Sequence, residues 1–301
     1  MTGGSQPSPP AQGKEPPLVY VVILTWNGRE DTLECLRSLV PVWNDRVMGL
    51  VVDNGSSDGT AEAVRSRFPG MEVIETGENL GYAGGNNVGI RHALDRGADY
   101  VLLLNNDTVA DPPFLKEMLA VAGGSERIGF VSPKICFLDP PDLLERDRGQ
   151  YDQTTEIDRP CGCAVLVSRR LCREVGLMDD QLFLYGEEVE WMLRARKRRF
   201  KACLAPKARV WHKVSASIGG ENHPDAFYYG VRNTLRALNG QAPCRFAPAG
   251  WARNGMVAAV FALSLLRSSV SLKEGAAAIF SGIRDYRRDL GGPRGKTLRS
   301  A

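Results

Sequence analysis

Short apolar runs alternate with helix-patterned segments along the first third of the chain. Their apolar residues are too continuous for a half-exposed strand, which is typical of strands that are covered on both faces. The runs are 18–25, 48–54, 71–75 and 100–107, and the helical segments between them are 30–39, 59–68 and 85–96. This order predicts an α/β fold whose mostly parallel sheet has right-handed crossovers and helices on both faces.

The pattern changes in the second half of the chain. There we predict helices, shorter strands and one charged stretch that resembles a mobile loop. The helices are 112–122, 169–175, 186–199 and 224–238, the strands are 129–135, 161–168, "KACLA" and "ARVWH", and the loop is 139–159. Two amphipathic helices are predicted between Gly255 and Arg288.

The chain of 301 residues, 43% of them hydrophobic, is long enough for one large domain with an appendage. Residues 1–17 are rich in Pro, Gly and Ser without an apolar run, so we interpret them as a disordered leader and not a signal peptide. Residues 18–240 would form the main domain. Residues 241–301 would be a basic helical extension.

Charge is distributed unevenly between these segments. The whole chain has a net charge of +3, but residues 241–301 contain ten Lys or Arg and three acids, a net +7, which leaves −4 for the first 240 residues. The run 256–266 has 11 mostly apolar residues, fewer than the roughly 20 that span a bilayer. This basic, apolar extension would lie on an anionic membrane surface or pack against protein. The protein would be its own domain or a second copy of the chain, and the second copy would give a homodimer. We expect no nucleic-acid partner.

Seven cysteines, an odd number without a CxxC pair, favour reduced thiols and a cytoplasmic protein, peripheral on the membrane if the extension binds lipid. Cys161 and Cys163 fall in the same predicted strand. We predict that they face opposite sides of it and serve as packing groups, not as joint metal ligands.

Polar residues end each of the four apolar runs. They are "TWN" (25–27), "DNGSSDGT" (53–60), "NLGYAGGNN" (79–87) and "NND" (105–107). Because ligands bind at the carboxyl ends of strands in open α/β sheets, we expect these segments to converge on a binding site.

Two common nucleotide-binding classes are disfavoured. The loop after the first strand, "TWNGRE", has one glycine, and the glycines of "LGYAGGNNVG" lack the G-x-G-x-x-G spacing of dinucleotide-binding proteins. The phosphate-binding pattern G-x-x-x-x-G-K-[ST] is absent from the sequence.

Asp107 would place a carboxylate where the backbone is becoming buried, so a cation is expected beside it. A hard divalent ion with the phosphates of a nucleotide would supply the charge. His212 ends an apolar run and would reach the same ion, although a lone histidine is more often structural.

Glu187 and Glu188 begin a predicted helix, where acids commonly complement the helix dipole. Phe183 and Tyr185 immediately precede them. An apolar pocket there would raise the pKa of a carboxylate toward that of a general base.

These segments together resemble glycosyltransferase family 2, the inverting enzymes of the A-type glycosyltransferase (GT-A) fold, and within it the rhamnosyltransferase-like branch. The resemblance covers residues 18–238. The matching segments are "VVILTWNGREDTLECLRSL", "VVDNGSSDGT", "NLGYAGGNNVGI", "LLLNNDT", "FLYGEEVEWMLRARKRRF", "VWHKVSASIGG" and "YYGVRNTL".

The resemblance implies a role for each matching position. The residues that would hold a nucleoside diphosphate sugar are Thr25, Asn27, Asp53, Asn54, Gly81, Gly84, Asn86, Asn105, Asn106 and Arg232. Asp107 and His212 would hold Mg2+ or Mn2+. Glu188 stands where the family has a catalytic base that is usually Asp, so Glu187 would share the work or the acceptor would sit differently.

The implied reaction is a single displacement in which the base deprotonates an acceptor hydroxyl and the sugar inverts. The donor would be dTDP-rhamnose, with UDP- and GDP-sugars as alternatives. The acceptor would be a saccharide or lipid-linked intermediate of a cell-surface polysaccharide, or a soluble small molecule. The rival interpretations are a sugar-phosphate nucleotidyltransferase and a catalytically degenerate nucleotide-sugar-binding or scaffold protein.

Overall fold

A computed structural model describes residues 15–137, 153–213, 223–239 and 248–295. Cys244, most of the predicted leader and residues 139–152 of the predicted loop lie outside the described residues.

The described residues contain nine strands and nine α-helices. The strands are β1 (Val19–Thr25), β2 (Val47–Asp53), β3 (Glu72–Glu75), β4 (Tyr100–Asn105), β5 (Thr108–Ala110), β6 (Ile128–Phe137), β7 (Thr155–Ile157), β8 (Ala164–Ser168) and β9 (Lys201–His212). The helices are α1 (Arg29–Leu39), α2 (Thr60–Arg67), α3 (Gly81–Asp95), α4 (Phe114–Ala122), α5 (Arg169–Val175), α6 (Glu187–Lys197), α7 (Pro224–Asn239), α8 (Pro248–Leu265) and α9 (Leu272–Arg287).

All nine strands described belong to one sheet. Its order is β3-β2-β1-β4-β8-β6-β9-β5, and β7 pairs with β9. The strands β3, β2, β1 and β4 are parallel, as the alternation of strand and helix predicted. Beyond β4 the sheet is mixed, because β8 runs antiparallel to both β4 and β6.

Strand β1 shows why its sequence is apolar throughout. Val21 and Ile23 point to one face of the sheet, where they join a core that includes α1 and α4 residues. Tyr20 and Val22 point to the other face and pack with residues of α3, α5 and α6. Both faces of the strand are buried by helices, which removes the polar alternation expected of a half-exposed strand.

Helix α3 approaches the sheet closely through its glycines. A Cβ at Gly89 would lie 2.3 Å from Val22 Cγ1, and one at Gly85 would lie 2.4 Å from Leu24 Cδ1. The two glycines are four residues apart and therefore share a helix face. They set the depth at which α3 sits against β1.

Three predictions from the second half of the chain are wrong. The two short strands "KACLA" and "ARVWH" are one strand, β9, with an irregular register against β6 between Pro133 and Lys134. Residues 155–157 of the predicted loop form β7. Residues 161–163 precede β8 and do not belong to it.

The helices α7, α8 and α9 pack together around a third apolar cluster. It includes Tyr228, Val231, Val257 and Ile279. The two predicted C-terminal helices are therefore present, although α8 begins seven residues before the predicted Gly255. Within the ranges described, no helix is both long and apolar enough to cross a membrane. The division at residue 240 stays a prediction.

Two glycine-to-alanine substitutions should change stability in opposite directions. Gly89→Ala would force its methyl group against Val22, and overpacking of this kind costs about 1–3 kcal/mol. Gly255 lies within α8 with nothing within 4 Å of an added Cβ, so Gly255→Ala should gain up to about 1 kcal/mol of helix propensity. Thermal or urea unfolding measures both. Equal changes of the same sign in the free energy of unfolding would contradict the close approach of α3 to β1 at Gly89.

Candidate active site

The polar ends of the parallel strands converge at one edge of the sheet, as predicted. In the sheet register Thr25 is paired with Asp53, and Leu24 is paired with Asn105. Asp53 is in turn paired with Glu75 at the end of β3. The parallel pairing therefore brings the segments after β1, β2, β3 and β4 to a shared cleft.

At the end of β1, hydrogen bonds link residues from three segments. The Asn106 amide donates to Gly28 O at 3.2 Å and lies 3.2 Å from Thr32 Oγ1 and 3.4 Å from Thr25 Oγ1. Asn27 has a positive φ of 51°, and its Oδ1 accepts from Ser57 N at 2.8 Å. These contacts fix the loops after β1 and β2 against each other.

Asp53 is 3% exposed, and its Oδ1 accepts from Ser56 N at 2.7 Å. Asn54 beside it is used internally. Its Nδ2 donates to Asn79 Oδ1 and to Gly81 O, both at 3.1 Å, and its Oδ1 accepts from Leu80 N at 3.0 Å. Asn54 therefore holds the glycine-rich loop in place and does not present its amide to the cleft.

The glycine-rich loop continues directly into α3. Gly81 has a φ of 76°, and a Cβ there would lie 2.3 Å from Phe183 O. Only glycine fits this position, since it needs both the left-handed conformation and a close backbone approach. Gly84 and Asn86 follow in α3, where Asn86 Nδ2 donates to Tyr82 O at 3.0 Å. Gly84 and Asn86 are both buried, so they pack within the protein at the first turns of α3.

Asp107 and His212 meet at this edge although 105 positions separate them. Asp107 Oδ1 lies 3.1 Å from His212 Nε2, and both side chains are largely buried. The contact follows from the sheet, because β5 pairs antiparallel with β9 and sets Thr108 opposite His212. Lys213 N also donates to Asp107 O at 3.0 Å. The structure brings these two residues together, and their role as metal ligands stays a prediction.

The side chains at this position suit a hard or borderline divalent cation. A carboxylate oxygen and an imidazole nitrogen are ligands that Mg2+ or Mn2+ accepts. Within the residues described, no group of three or more His, Cys, Asp or Glu could hold a metal ion. An ion here would therefore have two side-chain ligands from those residues, and a bound diphosphate would have to supply others.

The two glutamates at the start of α6 have different surroundings. Glu187 is 4% exposed, and burial raises the pKa of its carboxyl to about 8, with a further increase from the nearby Glu188. Glu188 is half-buried, and burial raises its pKa as well. Glu188 lines a cavity of about 330 Å3 that also includes Ser132, Arg159 and Cys161. Only Glu188 of the pair is open to this cavity.

The segment before these glutamates is held by α7. Asn233 Nδ2 donates to the carbonyls of Leu182, Leu184 and Tyr185 at 2.7–2.9 Å. Phe183 and Tyr185 both have positive φ values, 63° and 64°, a conformation that costs free energy unless neighbouring contacts impose it. Asn233 supplies those contacts.

Arg232 was predicted to contact the donor, and the structure gives it a different place. Its side chain is 1% exposed. The guanidinium donates to Gly292 O at 2.7 Å, to Leu182 O at 2.8 Å and to Asn233 Oδ1 at 2.9 Å. With its hydrogen bonds directed to the protein interior, Arg232 fixes the segment before Glu188 and does not reach the cleft.

The prediction that Cys161 and Cys163 face opposite sides is also wrong. Residues 161–163 form a turn, in which Ala164 N donates to Cys161 O at 3.4 Å. The two sulfur atoms lie 3.3 Å apart. The hydrogen bond between the thiols lowers the pKa of Cys161 to about 6 and raises that of Cys163. The prediction also misjudged strand geometry, because residues two apart in a regular strand share a face.

Sequence reasoning missed Tyr82 and Asn87. Tyr82 Oη donates to Gly162 O across the cleft. Asn87 forms two hydrogen bonds with the backbone of Met178, one through each side-chain atom, at 2.9 and 3.2 Å. Both belong to the quoted segment "NLGYAGGNN", and a polar side chain on the buried face of α3 is the signal that could have identified Asn87.

Comparisons with known proteins point to one family. The model of the family described as glycosyl transferase family 2 matches residues 20–173. The dTDP-rhamnosyl transferase RfbF of Shigella flexneri is 24% identical over 247 residues, which cover 73% of this chain and 79% of that protein. The N-acetylglucosaminyl-diphospho-decaprenol L-rhamnosyltransferase of Mycobacterium tuberculosis is 27% identical over 236 residues, 66% of this chain and 77% of that one.

Solved structures agree on the fold. The mannosyltransferase PcManGT from Pyrobaculum calidifontis, in complex with GDP-Man and Mn2+, aligns with a TM-score of 0.58 at 18% identity and covers 90% of this chain and 85% of its own. Staphylococcus aureus TarS, residues 1–349, aligns with a TM-score of 0.57 at 14% identity, covering 91% and 92%. The predicted GT-A architecture is thereby confirmed.

Burial of Glu187 should make stability depend on pH. Between the ordinary carboxyl pKa of 4.5 and about 8, the unfolded chain loses this proton while the folded protein keeps it, so stability falls as pH rises. Glu187→Gln removes that loss. Its stability relative to wild type should increase by at least about 1 kcal/mol between about pH 5 and pH 8, measured by urea unfolding.

The control is Glu62→Gln. Glu62 also lies in the first turn of a helix, α2, and is exposed. Its stability difference from wild type should stay constant over the same pH range. If Glu187→Gln behaves like this control, the carboxyl of Glu187 ionises normally.

Proposed function

This chain belongs to glycosyltransferase family 2, and on that premise we propose that it transfers a hexose from a nucleoside diphosphate donor to an acceptor hydroxyl with inversion. The observation that carries the proposal is the position of Asp107, His212 and Glu188. The turn at 161–163 connects them, since Cys163 O accepts from Asn105 N at 2.9 Å and Gly162 adjoins Glu188.

The donor site would be built on the carboxyl ends of the parallel strands. Asp53 and Thr25 are buried side by side there and would contact the base and ribose, with Asn27 at the rim. Asn105 and Asn106 would lie nearer the diphosphate. Asn54, Gly81, Gly84 and Asn86 would support the site by shaping the loop and the start of α3, which is how their hydrogen bonds and close contacts are arranged.

Asp107 and His212 would hold Mg2+ or Mn2+ together with the donor diphosphate. A divalent ion there supplies positive charge for the leaving nucleoside diphosphate. The solved mannosyltransferase was captured with Mn2+ and GDP-Man, which supports testing Mn2+ first.

Glu188 would act as the general base. It faces the cavity that would receive the acceptor, and its pKa is raised by burial, which favours proton uptake from a hydroxyl. As the proton moves to Glu188, the hydroxyl oxygen attacks the anomeric carbon from the side opposite the diphosphate, which inverts the configuration. Glu187 would remain protonated near neutral pH and support the helix start.

The names of two relatives guide the choice of substrates. One is a dTDP-rhamnosyl transferase and the other acts on N-acetylglucosaminyl-diphospho-decaprenol, so dTDP-rhamnose and a lipid-linked saccharide are the substrates that we propose. The product would enter cell-surface polysaccharide synthesis.

Two substitutions should separate ion binding from proton transfer. Asp107→Ala should abolish the Mn2+-dependent part of donor binding, because it removes a carboxylate ligand. Glu188→Gln should leave donor binding intact and lower turnover by roughly 100-fold or more, because the amide cannot accept a proton. Glu188→Asp should retain part of the activity. Thermal shift with dTDP-rhamnose, UDP-sugars and GDP-sugars measures binding, and release of the nucleoside diphosphate measures turnover.

Glu62→Gln is the matched control for the second substitution and should have wild-type turnover. Wild-type turnover in Glu188→Gln would show that another residue is the general base. Tight donor binding without turnover in the wild-type protein, for every nucleotide sugar, would favour a degenerate binding protein.

We further propose that the C-terminal helices lie on an anionic membrane. Six large apolar side chains are exposed on or beside α8 and α9, each more than half accessible: Met256, Val260, Leu263, Leu266, Leu272 and Phe280. Met256, Val260 and Leu263 are spaced four and three residues apart and therefore share a face of α8. A contiguous exposed apolar face of this kind usually marks an interaction site. Basic residues of the same region, among them Arg267, Lys273 and Arg284, favour a negatively charged lipid surface.

Vesicle binding should depend on this patch. Val260→Asp removes about 1.5 kcal/mol of apolar burial in the lipid, so partition onto vesicles containing phosphatidylglycerol should weaken by about tenfold or more. Val40→Asp makes the same change at another exposed valine and is the control. Flotation with anionic and with neutral vesicles measures both variants. Equal binding of the two variants would contradict the assignment of the patch.

A further inference from the structure

The turn Cys161–Gly162–Cys163 holds two thiols in contact. Because the chain reverses there, both side chains project to the same side, and the sulfur atoms are 3.3 Å apart. The turn is fixed on its N-terminal side, where Cys161 N donates to Ser132 Oγ at 3.0 Å. Of the six free cysteines in the described residues, these two are hydrogen-bonded to each other.

The backbone of this turn is part of the candidate active site. Cys163 O accepts from Asn105 N, at the end of β4. Gly162 O accepts from the Tyr82 hydroxyl. A Cβ added at Gly162 would lie 3.4 Å from Glu188 Oε1. A shift of the turn would therefore be transmitted to the proposed base and to the segment that carries Asp107.

A small reagent can reach one of the two thiols. Cys161 is half-buried and lines the same cavity as Glu188, whereas Cys163 is 6% exposed. The hydrogen bond from Cys163 also lowers the pKa of Cys161 to about 6, which favours the thiolate, the reactive form of a cysteine. The arrangement thus has an accessible sulfur and a second sulfur in contact behind it.

We propose that Cys161 and Cys163 form a reversible oxidation site, at which a hydroperoxide joins the two thiols in a disulfide and slows sugar transfer at the adjacent carboxylate. The second part rests on the proposed function. The first part, formation of the disulfide, does not.

The chemistry balances with hydrogen peroxide as the oxidant. The Cys161 thiolate attacks one peroxide oxygen, the O–O bond breaks, and the other oxygen leaves as water after taking a proton. The sulfenic acid on Cys161 is then attacked by the sulfur of Cys163, which gives up its proton. The S–O bond breaks, the S–S bond forms and a second water leaves. Two thiols are oxidised and one peroxide is reduced, and a dithiol such as dithiothreitol reverses the reaction.

Oxidation should displace the turn. A disulfide bond is about 2.05 Å long, so the sulfurs must approach each other by roughly 1 Å from their separation of 3.3 Å. Misplacement of a catalytic geometry by about 1 Å can cost on the order of 100-fold in rate. We therefore expect turnover to fall by at least about tenfold.

The test treats the full-length protein with hydrogen peroxide and then with dithiothreitol. Peptide mass spectrometry without reduction should find the peptide containing both cysteines lighter by two hydrogens, and dithiothreitol should restore its mass. Release of nucleoside diphosphate from dTDP-rhamnose should fall on oxidation and recover on reduction. Cys161→Ser should abolish the reversible loss, measured against the reduced form of the same variant, and Cys163→Ser should abolish the disulfide, because no second thiol then meets the oxidised Cys161.

Cys203→Ser is the matched control. Cys203 is as buried as Cys163, each 6% exposed, but lies in β9. This variant should respond to peroxide as the wild type does. A stable sulfenic acid, a bond to another cysteine or no oxidation at all would overturn the proposal. A disulfide at this turn with unchanged turnover would overturn its effect on transfer. If the reduced protein turns over no donor, the proposed function fails, and the mass measurement still decides whether the disulfide forms.

Discussion

The candidate site depends on the pairing of β5 with β9. This pairing places Thr108 opposite His212 and thereby brings Nε2 of that histidine within 3.1 Å of the Asp107 carboxylate. A largely buried carboxylate is costly without a compensating charge. The pairing of β5 with β9 therefore decides which group lies beside the Asp107 carboxylate. The apolar strand β4 ends at the turn that carries Asp107, and the buried core beneath it fixes where that carboxylate lies.

Glu188 is positioned by a different set of contacts. Arg232 and Asn233 of α7 bind the carbonyls of the segment before α6, and two residues of that segment have left-handed backbone conformations. The same segment contacts the start of α3, since Tyr82 N donates to Phe183 O at 2.6 Å. The glycine-rich loop and the proposed base are therefore held by one connected group of backbone contacts.

The C-terminal helices are connected to this arrangement through α7. Arg232 also donates to Gly292 O beyond α9, and Tyr228 donates to Asp285 Oδ2 at 2.9 Å. The residues that would touch a membrane thus lie on helices packed against the helix that holds the segment before Glu188. A lipid-linked acceptor arriving from a membrane surface would approach the part of the protein that positions the proposed base.

Local pattern was enough to determine much of this protein. Continuous apolar runs and helical spacing are properties of short segments, so β1 to β4 and α1 to α3 were predicted within a few residues of their observed bounds, and the convergence of Asp53 and Asn105 followed from parallel pairing. The resemblance of ordered motifs indicated the family. By contrast, the buried role of Arg232, the internal use of Asn54 and the continuity of β9 depend on which distant segments meet. Only the tertiary structure decided these, because a side chain's partners and burial are set by contacts across the fold and not by its neighbours in the sequence.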